Sequence, residues 1–417
     1  MPKTSSQQDS GTRVEKHLIR PSSPYFAMLQ DFCHRAKNLY NHANYIVRHE
    51  FIDNGNWIRY QELDDRLKAD ADYPDYRSMP AAQAAQQTLR LLDKDWKSFF
   101  AAIKDWKEHR DKYLGRPKLP RYKEKDGLAI LVLTNQNCKL KDNLLNFPKK
   151  FNGFTIKPKF VEKEYVSFQQ VRFIPTGTDI VAEVVYKIKD VPLMEDTGRY
   201  AGIDIGVSNL LTMATNTGHC PMIVNGRIPK SINQFYNKEL AHRKELCQRM
   251  NGRHSSRSIQ RLTSKRNRCI NDYLHKASRL IVRECAERGV STIVIGKNDG
   301  WKQKSTLSDT VNQHFVQMPF ARLIEMIEYK AKDCGIAVIL TEESYTSGTS
   351  FLDNEAPTKE HYNKNRRIHR GLFRADDGRR INADVNGACQ ILKKVFPNAF
   401  ADGIEGVVLR PVVVAAA

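Results

Sequence analysis

Three segments in the second half of the chain follow one another in the order strand, helix, strand. STIVIG (291–296) has the composition of a buried strand, MPFARLIEMIEYKAKDCG (318–335) has helical apolar spacing, and IAVILTEE (336–343) is again strand-like. A helix that connects two strands of one sheet usually leaves them parallel. These segments therefore predict an α/β sheet, and functional residues are expected at the carboxyl ends of its parallel strands.

A hairpin is predicted before this unit, in RYAGIDIGVSNLLTMATNTG (199–218), with a turn at 206–209. Asp204 lies in the middle of its first strand, between Ile203 and Ile205. An unpaired charge buried there would cost several kcal/mol, so we expect a positive group nearby.

The N-terminal half predicts two other modules. Residues 24–110 have helical spacing, and their later part, 81–106, predicts a packed helical hairpin. Residues 128–133, 166–175 and 179–188 predict the strands of a small barrel, whose first strand is expected at 14–20. The last residues, 401–417, predict a disordered tail.

The charge of the chain indicates a polyanionic partner. The net charge is +20, from 67 Lys and Arg against 47 acidic residues. Residues 227–283 predict a basic helical pair, with fifteen Lys or Arg and three acids. No apolar run of membrane length and no signal-like N-terminus is seen, so we expect a soluble, cytoplasmic prokaryotic protein, nucleoid-associated when on DNA. The eight cysteines are scattered singly, which predicts neither disulfides nor a cysteine zinc site.

Three carboxylates are candidate metal ligands: Asp204, Glu343 and Asp384. Each has an ordinary alternative, as a turn residue, a solvated strand end beside Glu342, and the N-cap of a final helix at 384–395. Taken together, they suit two Mg²⁺ ions held by oxygen ligands, with Mn²⁺ as a substitute. Two such ions about 4 Å apart would hydrolyse a phosphodiester. With ordinary carboxyl pKa values, activity would be lost below about pH 5.

Several passages resemble the TnpB family of insertion-sequence nucleases and the related type V CRISPR effector nucleases. GIDIGVSNLLTMAT is similar to their first RuvC motif and NADVNGACQIL to the third. NRCINDYLHKASRLIV (267–282), YTS (345–347) and GRPKLPRYK (115–123) are similar to other recurring passages of the family. The resemblance covers nearly the whole chain, and the order of its motifs is more specific than any one of them.

The resemblance implies an α+β multidomain fold, in which a RuvC/RNase H-like α/β nuclease domain accompanies a β-barrel wedge domain and an inserted α-helical recognition domain. The implied boundaries are 1–22 and 115–197 for the wedge barrel, 23–114 for the helical domain, 198–345 and 380–400 for the nuclease, and 346–379 for a target-binding insert. The implied activity is cleavage of double-stranded DNA that matches a guide RNA, beside a short DNA motif. A monomer with its RNA is the favoured assembly.

The chain departs from the family pattern in two places. Most relatives have a glutamate where this chain has Gly296, and some branches supply the acid from the strand before YTS, which points to Glu343. The four cysteine positions of the family's zinc ribbon fall on Ser350, Asp353, Arg374 and Asp377, so no zinc is expected.

Predicted nucleic-acid contacts come from the basic helices, from the segment after the second strand and from the insert. They are Arg253, Arg257, Lys265, Arg266, Arg268, Lys276, Lys302, Arg367, Arg370, Arg374, Arg379 and Arg380. Two other functions remain open at this stage: a guided repressor without nuclease activity, and an unguided transposase or resolvase.

Overall fold

The structure is a computed structural model that describes residues 11–162, 165–252, 254–297, 316–369, 371–401 and 410–416. The chain divides into two compact units, residues 1–189 and 190–417. Helices and sheets occur in both units, so the prediction of an α+β chain with several modules is confirmed at that level.

The helices of the first unit surround a core of leucines and aromatic rings that includes Leu39, Leu89 and Trp96. The first helix ends where Gly55 adopts φ 71° and its N–H bonds to the carbonyl of Phe51. The predicted hairpin at 81–106 is wrong, because this segment is one continuous helix. The helices are α1 (Phe26–Asn54), α2 (Tyr60–Ala69), α3 (Asp75–Ser78) and α4 (Ala82–Glu108).

The strands of the first unit form two antiparallel sheets. The larger has the order β1-β7-β6-β2 and the smaller the order β3-β4-β5. The first strand pairs with the seventh from Gly11–Ile188 to Ile19–Ile180, which confirms the predicted strand at 14–20. Closure into a barrel stays a prediction. The strands are β1 (Gly11–Ile19), β2 (Leu131–Thr134), β3 (Lys139–Lys141), β4 (Leu144–Asn146), β5 (Thr155–Ile156), β6 (Tyr165–Thr176) and β7 (Asp179–Ile188).

The second unit is built on a six-stranded sheet with the order β12-β11-β8-β9-β10-β16. The predicted hairpin is β8 with β9, and β8, β11 and β12 are parallel, as the strand-helix-strand pattern predicted. The strands are β8 (Tyr200–Ile205), β9 (Asn209–Thr215), β10 (Met222–Asn225), β11 (Thr292–Gly296), β12 (Ala337–Thr341) and β16 (Val412–Val414).

Helices cover both faces of this sheet. They are α5 (Arg227–Asn251), α6 (Arg257–Glu287), α7 (Phe320–Asp333) and α8 (Ala383–Val395). Apolar residues of α6 and α7 share one core with Ile203 and Ile205 of β8. The opposite face is covered by α8, which approaches β8 so closely that a Cβ at Gly202 would lie 2.2 Å from the carbonyl oxygen of Ala388.

Two segments have more structure than the sequence indicated. The basic segment between β12 and α8 contains a small antiparallel sheet of β13 (Arg367–His369), β14 (Leu372–Arg374) and β15 (Arg380–Asn382). The predicted disordered tail is wrong at Val412–Val414, because these β-branched residues pair in parallel with β10. None of the helices that the structure describes is long and apolar enough to cross a membrane.

Candidate active site

Asp204 points from the central strand β8 towards α8. Its neighbours Ile203 and Ile205 belong to the core on the other face, because successive side chains of a strand alternate. A Cβ at Gly387 would lie only 3.0 Å from Oδ2 of Asp204. The carboxyl group therefore lies half-buried directly below the first turns of α8.

Glu343 follows β12 and reaches over the end of β11. Gly296 is paired with Thr341, two residues before Glu343. A Cβ at Gly296 would lie 2.6 Å from both Cγ and Oε1 of Glu343. The Glu343 side chain thus fills the space that a side chain at position 296 would take, whereas Glu342 is exposed.

Asp384 lies in the first turn of α8 but is not its N-cap. Asn382 is the cap, and its Oδ1 accepts bonds from the backbone N–H groups of Asp384 and Val385. This leaves the Asp384 carboxylate for two other partners. Asn209 Nδ2 donates to its Oδ2 at 2.6 Å, and Arg367 Nη2 donates to its Oδ1 at 3.3 Å.

The three carboxyl groups influence one another electrostatically. Burial, and next the charge of Asp384, raise the pKa of Asp204 to about 7, although Arg367 acts in the opposite direction. Burial, and next the charge of Asp204, raise the pKa of Glu343 to about 8, while Lys394 opposes the shift. Lys394 is fixed nearby, since its Nζ donates to the carbonyl oxygen of Ser344 at 3.1 Å.

The chemistry of this donor set fits divalent magnesium. Three carboxylates of one region offer oxygen ligands, and burial, followed by neighbouring negative charge, raises the pKa of two of them, Asp204 and Glu343. A bound cation would reverse this cost. The arrangement could therefore hold metal ions through Asp204, Glu343 and Asp384.

A second acidic group, Asp353, Glu355 and Asp376, lies in the insert with its oxygens within 4.8 Å of one another. It already holds a cation of the protein: Arg366 donates to Glu355 at 2.6 Å and to Asp376 at 2.5 Å. We therefore regard this group as a structural ion-pair network. Within the described ranges, the carboxylates of the candidate active site are spaced more widely than these.

Comparisons with known proteins show which families the chain is similar to. A family model described as OrfB_IS605, probable transposase, matches residues 183–302, and one described as Cas12f1-like, TNB domain, matches residues 320–391. The TnpB-like protein ORF457 of Acidianus two-tailed virus is 25% identical over 391 residues, which cover 85% of this chain and 80% of that protein. The chain resembles the TnpB family.

A protein from an archaeon and a solved structure match as well. The CRISPR-associated endodeoxyribonuclease Cas12f2 of a Micrarchaeota archaeon is 31% identical over 211 residues, which cover 47% of this chain and 37% of that protein. This chain thus spans well under half the length of that relative. The structure of a Cas12f1-sgRNA-target DNA complex matches with a TM-score of 0.52 at 15% identity, covering 87% of this chain and 82% of that one. This likeness concerns the fold.

The zinc-ribbon positions of the TnpB family carry other chemistry here. Ser350 is buried, and its Oγ accepts from the backbone N–H of Asp353. The backbone N–H of Asp376 in turn donates to Asp353 Oδ2 at 3.0 Å. Together with Arg366, these contacts join the two halves of the insert through hydrogen bonds and ion pairs.

The predicted nucleic-acid contacts lie on two elements. On α6, four residues are exposed, whereas Arg266 is half-buried and donates to Asn233 Oδ1 and to the carbonyl oxygen of Gln317. In the insert, Arg367 contacts Asp384 and Arg379 contacts Asp377. Arg253, Lys302 and Arg370 lie outside the described residues. The exposed residues of α6 are Arg257, Lys265, Arg268 and Lys276, and those of the insert include Arg374, Arg379 and Arg380.

Two residues near the TnpB-family motifs were missed from sequence. Asn209 was assigned only to a turn, although its amide contacts Asp384. Lys394 carried no signal beyond its place at the end of a helix. Asn209 and Asp384 are 175 positions apart, so local pattern could not connect them.

Proposed function

We propose that this protein is an RNA-guided DNA endonuclease whose catalytic metal site consists of Asp204, Glu343 and Asp384. The observation that carries the proposal is the position of the Glu343 side chain. It lies over Gly296, and burial, followed by the nearby charge of Asp204, raises its pKa. A glutamate that only followed the end of a strand would be expected to face solvent, because burying it beside another acid costs free energy.

The residues have separate roles in this site. Asp204 is central, because its charge interacts with both Asp384 and Glu343. Asn209 donates to one oxygen of Asp384 and Arg367 donates to the other, so the two residues orient this carboxylate. Divalent ions held there would lower the pKa of a water and stabilise the leaving oxygen of a phosphodiester.

Guidance by RNA is proposed from the relatives and from charge. The name of the archaeal relative describes a CRISPR-associated endodeoxyribonuclease, and the matched complex contains a guide RNA and target DNA. A net charge of +20 supports binding of such polyanions. Base pairing with the guide would then select the target.

The experiment is to express the chain with its native flanking DNA, purify it and sequence the RNA that co-purifies. The purified complex is then mixed with plasmids that carry a matched or a scrambled target beside a randomised motif. We expect a discrete RNA and cutting of the matched plasmid in Mg²⁺ only. Calcium should support cutting poorly, because its looser coordination does not impose the required geometry.

The other outcomes separate the alternatives. A discrete RNA with specific DNA binding but no cutting would identify a guided repressor. Cutting or strand transfer that proceeds without RNA would identify an unguided transposase or resolvase, and either result contradicts the proposal.

A further inference from the structure

A groove between α5 and α6 combines an apolar floor with positive charge. It has a volume of about 280 Å³ and is lined by residues that include Ile232, Phe235, Tyr236, Leu262, Lys265 and Arg266. This volume is just below the range of about 300–1,000 Å³ that is typical of small-molecule pockets. The groove therefore suits one flat ring system with an attached anionic group.

The rigid part of the groove is already formed. The Tyr236 hydroxyl bonds with Thr263 Oγ1 at 3.1 Å, and the guanidinium of Arg266 lies 5.6 Å from the centre of the Tyr236 ring. Arg266 is fixed by Asn233 and by the backbone of Gln317. A ligand would thus contact an aromatic ring and a cation that are already held in position. Little conformational entropy would be lost when it binds.

Phe235 is the exposed part of the groove. The residue is 61% exposed, and its ring adjoins the apolar floor of the groove, so the two together present an apolar surface to a ligand. The exposed cation Lys265 lies on the opposite helix. An exposed aromatic ring beside cations is the arrangement that stacks unpaired bases while the cations hold the phosphates.

The position of the groove decides which strand it would hold. The helix α6 covers one face of the six-stranded sheet, whereas Asp204 points to the other face, below α8. A strand in the groove is therefore not the strand at the carboxylates. Unpaired bases that are splayed out and stacked on aromatic rings are typical of folded RNA.

We infer that the groove between α5 and α6 binds an unpaired nucleotide of the guide RNA, with its base against Phe235 and Tyr236 and its phosphate near Lys265. The inference rests on the proposed function only in taking the bound strand to be a guide. It is independent of the catalytic carboxylates.

The test uses the complete complex of protein and co-purified RNA. Ultraviolet crosslinking followed by mass spectrometry is expected to join one RNA nucleotide to the peptide that contains Phe235 and Tyr236. Phe235→Ala is then expected to weaken RNA binding about tenfold, within the range for one stacked base. Leu246→Ala is the matched control, because Leu246 is exposed on the same helix but outside the groove.

A second arm identifies the contact. An RNA made abasic at the crosslinked position should bind the wild type about tenfold more weakly, and should lose nothing more with Phe235→Ala. If Phe235→Ala does not fold, Phe235→Leu retains apolar bulk and removes only stacking. Equal losses for Leu246→Ala, additive losses with the abasic RNA, or crosslinks only to DNA would overturn the inference.

The failure of this inference differs from the failure of the proposed function. Leu246→Ala, which lies outside the groove, should cut the matched plasmid like the wild type if the proposed function is right. A wild type that crosslinks through Phe235 but does not cut would overturn the nuclease and leave the RNA site. A wild type that cuts but carries no discrete RNA would overturn the inference and the guidance while leaving the nuclease.

Discussion

Asp204 and Glu343 are the carboxyl groups, among the described residues, whose ionisation the folded chain opposes most. Their pKa values are raised to about 7 and about 8, from ordinary values of about 3.9 and 4.3 in an unfolded chain. These two groups therefore bind more protons in the folded protein than in the unfolded chain between about pH 4 and pH 8. Their contribution to the stability of the metal-free protein should fall as the pH rises across this range.

The change Glu343→Gln tests this pH dependence. In a metal-free buffer, the variant should unfold at a higher temperature than the wild type, and the difference should grow from pH 5.5 to pH 8.5. A gain of about 2–4 °C is expected for each kcal/mol that the change relieves. Thermal unfolding at both pH values measures it, with exposed Glu342→Gln as the control. A difference that shrinks with rising pH would contradict the raised pKa of Glu343.

The same shifts change the expected pH profile of cutting. Ordinary carboxyl pKa values predict activity down to about pH 5, whereas protons now compete with the metal below about pH 7–8. At limiting Mg²⁺, cutting should therefore decline below about pH 7 and recover when more Mg²⁺ is added.

Asn209 is expected to position Asp384 through its 2.6 Å hydrogen bond. Asn209→Ala should weaken metal affinity or activity about 10- to 100-fold, as is common for groups that orient metal ligands. Titration of cutting with Mg²⁺ should show a higher metal requirement with a similar maximal rate. Ser208→Ala, in the same turn, is the control. A lower rate that extra Mg²⁺ does not restore would argue against a positioning role.

At the scale of elements, the sequence predicted the parts of the second unit that follow regular patterns. The hairpin of β8 and β9, the parallel β11 and β12 and the helices α5 to α8 were all expected from periodicity. The three carboxylates were expected because Asp204 and Asp384 lie in such elements and Glu343 follows one. The hairpin predicted at 81–106 failed, since apolar spacing specifies helix but carries no signal for a turn where glycine and proline are absent.

Contacts between distant elements could not be predicted. Gly202 and Gly387 allow α8 to approach β8 closely. The sequence shows these glycines, but it does not show which element packs against them. The pairing of Val412–Val414 with β10 is likewise a long-range contact. In the insert, the sequence shows many arginines, but only the structure shows that Arg366 pairs with both Glu355 and Asp376.

Moving the glutamate from position 343, after β12, to position 296, at the end of β11, tests where the site needs this carboxylate. Glu343→Gly should lower cutting about a thousandfold, since metal chemistry contributes several kcal/mol. Gly296→Glu alone should also be impaired, because its Cβ would clash with Glu343. The double variant should cut at least tenfold faster than Glu343→Gly. A double variant that cuts no faster than Glu343→Gly would show that a carboxylate at the end of β11 does not replace Glu343.

The insert offers a prediction of its own. Arg366 is 13% exposed and pairs with Glu355, which is equally buried, and with Asp376. Arg366→Ala should destabilise the insert by about 1–3 kcal/mol, which should speed its limited proteolysis about tenfold or more. Exposed Arg374→Ala is the control. Faster proteolysis of the wild type in chelator would instead indicate that a metal holds the insert.

At the scale of the whole molecule, charge and family relation indicate the partners, and the geometry indicates the chemistry. The positive charge predicted a nucleic-acid partner but could not choose between RNA and DNA or between cutting and binding. The chain resembles the TnpB family, and its second unit brings carboxylates from a central strand, a strand end and a helix to one region.

The most direct test of this account compares Glu343→Gln with Glu342→Gln in cutting of a matched plasmid by the complete RNA complex in Mg²⁺. The account predicts that Glu343→Gln retains RNA and target binding but cuts about a thousandfold more slowly, whereas Glu342→Gln cuts like the wild type. Unchanged cutting by Glu343→Gln, or an equal loss in both variants, would contradict it.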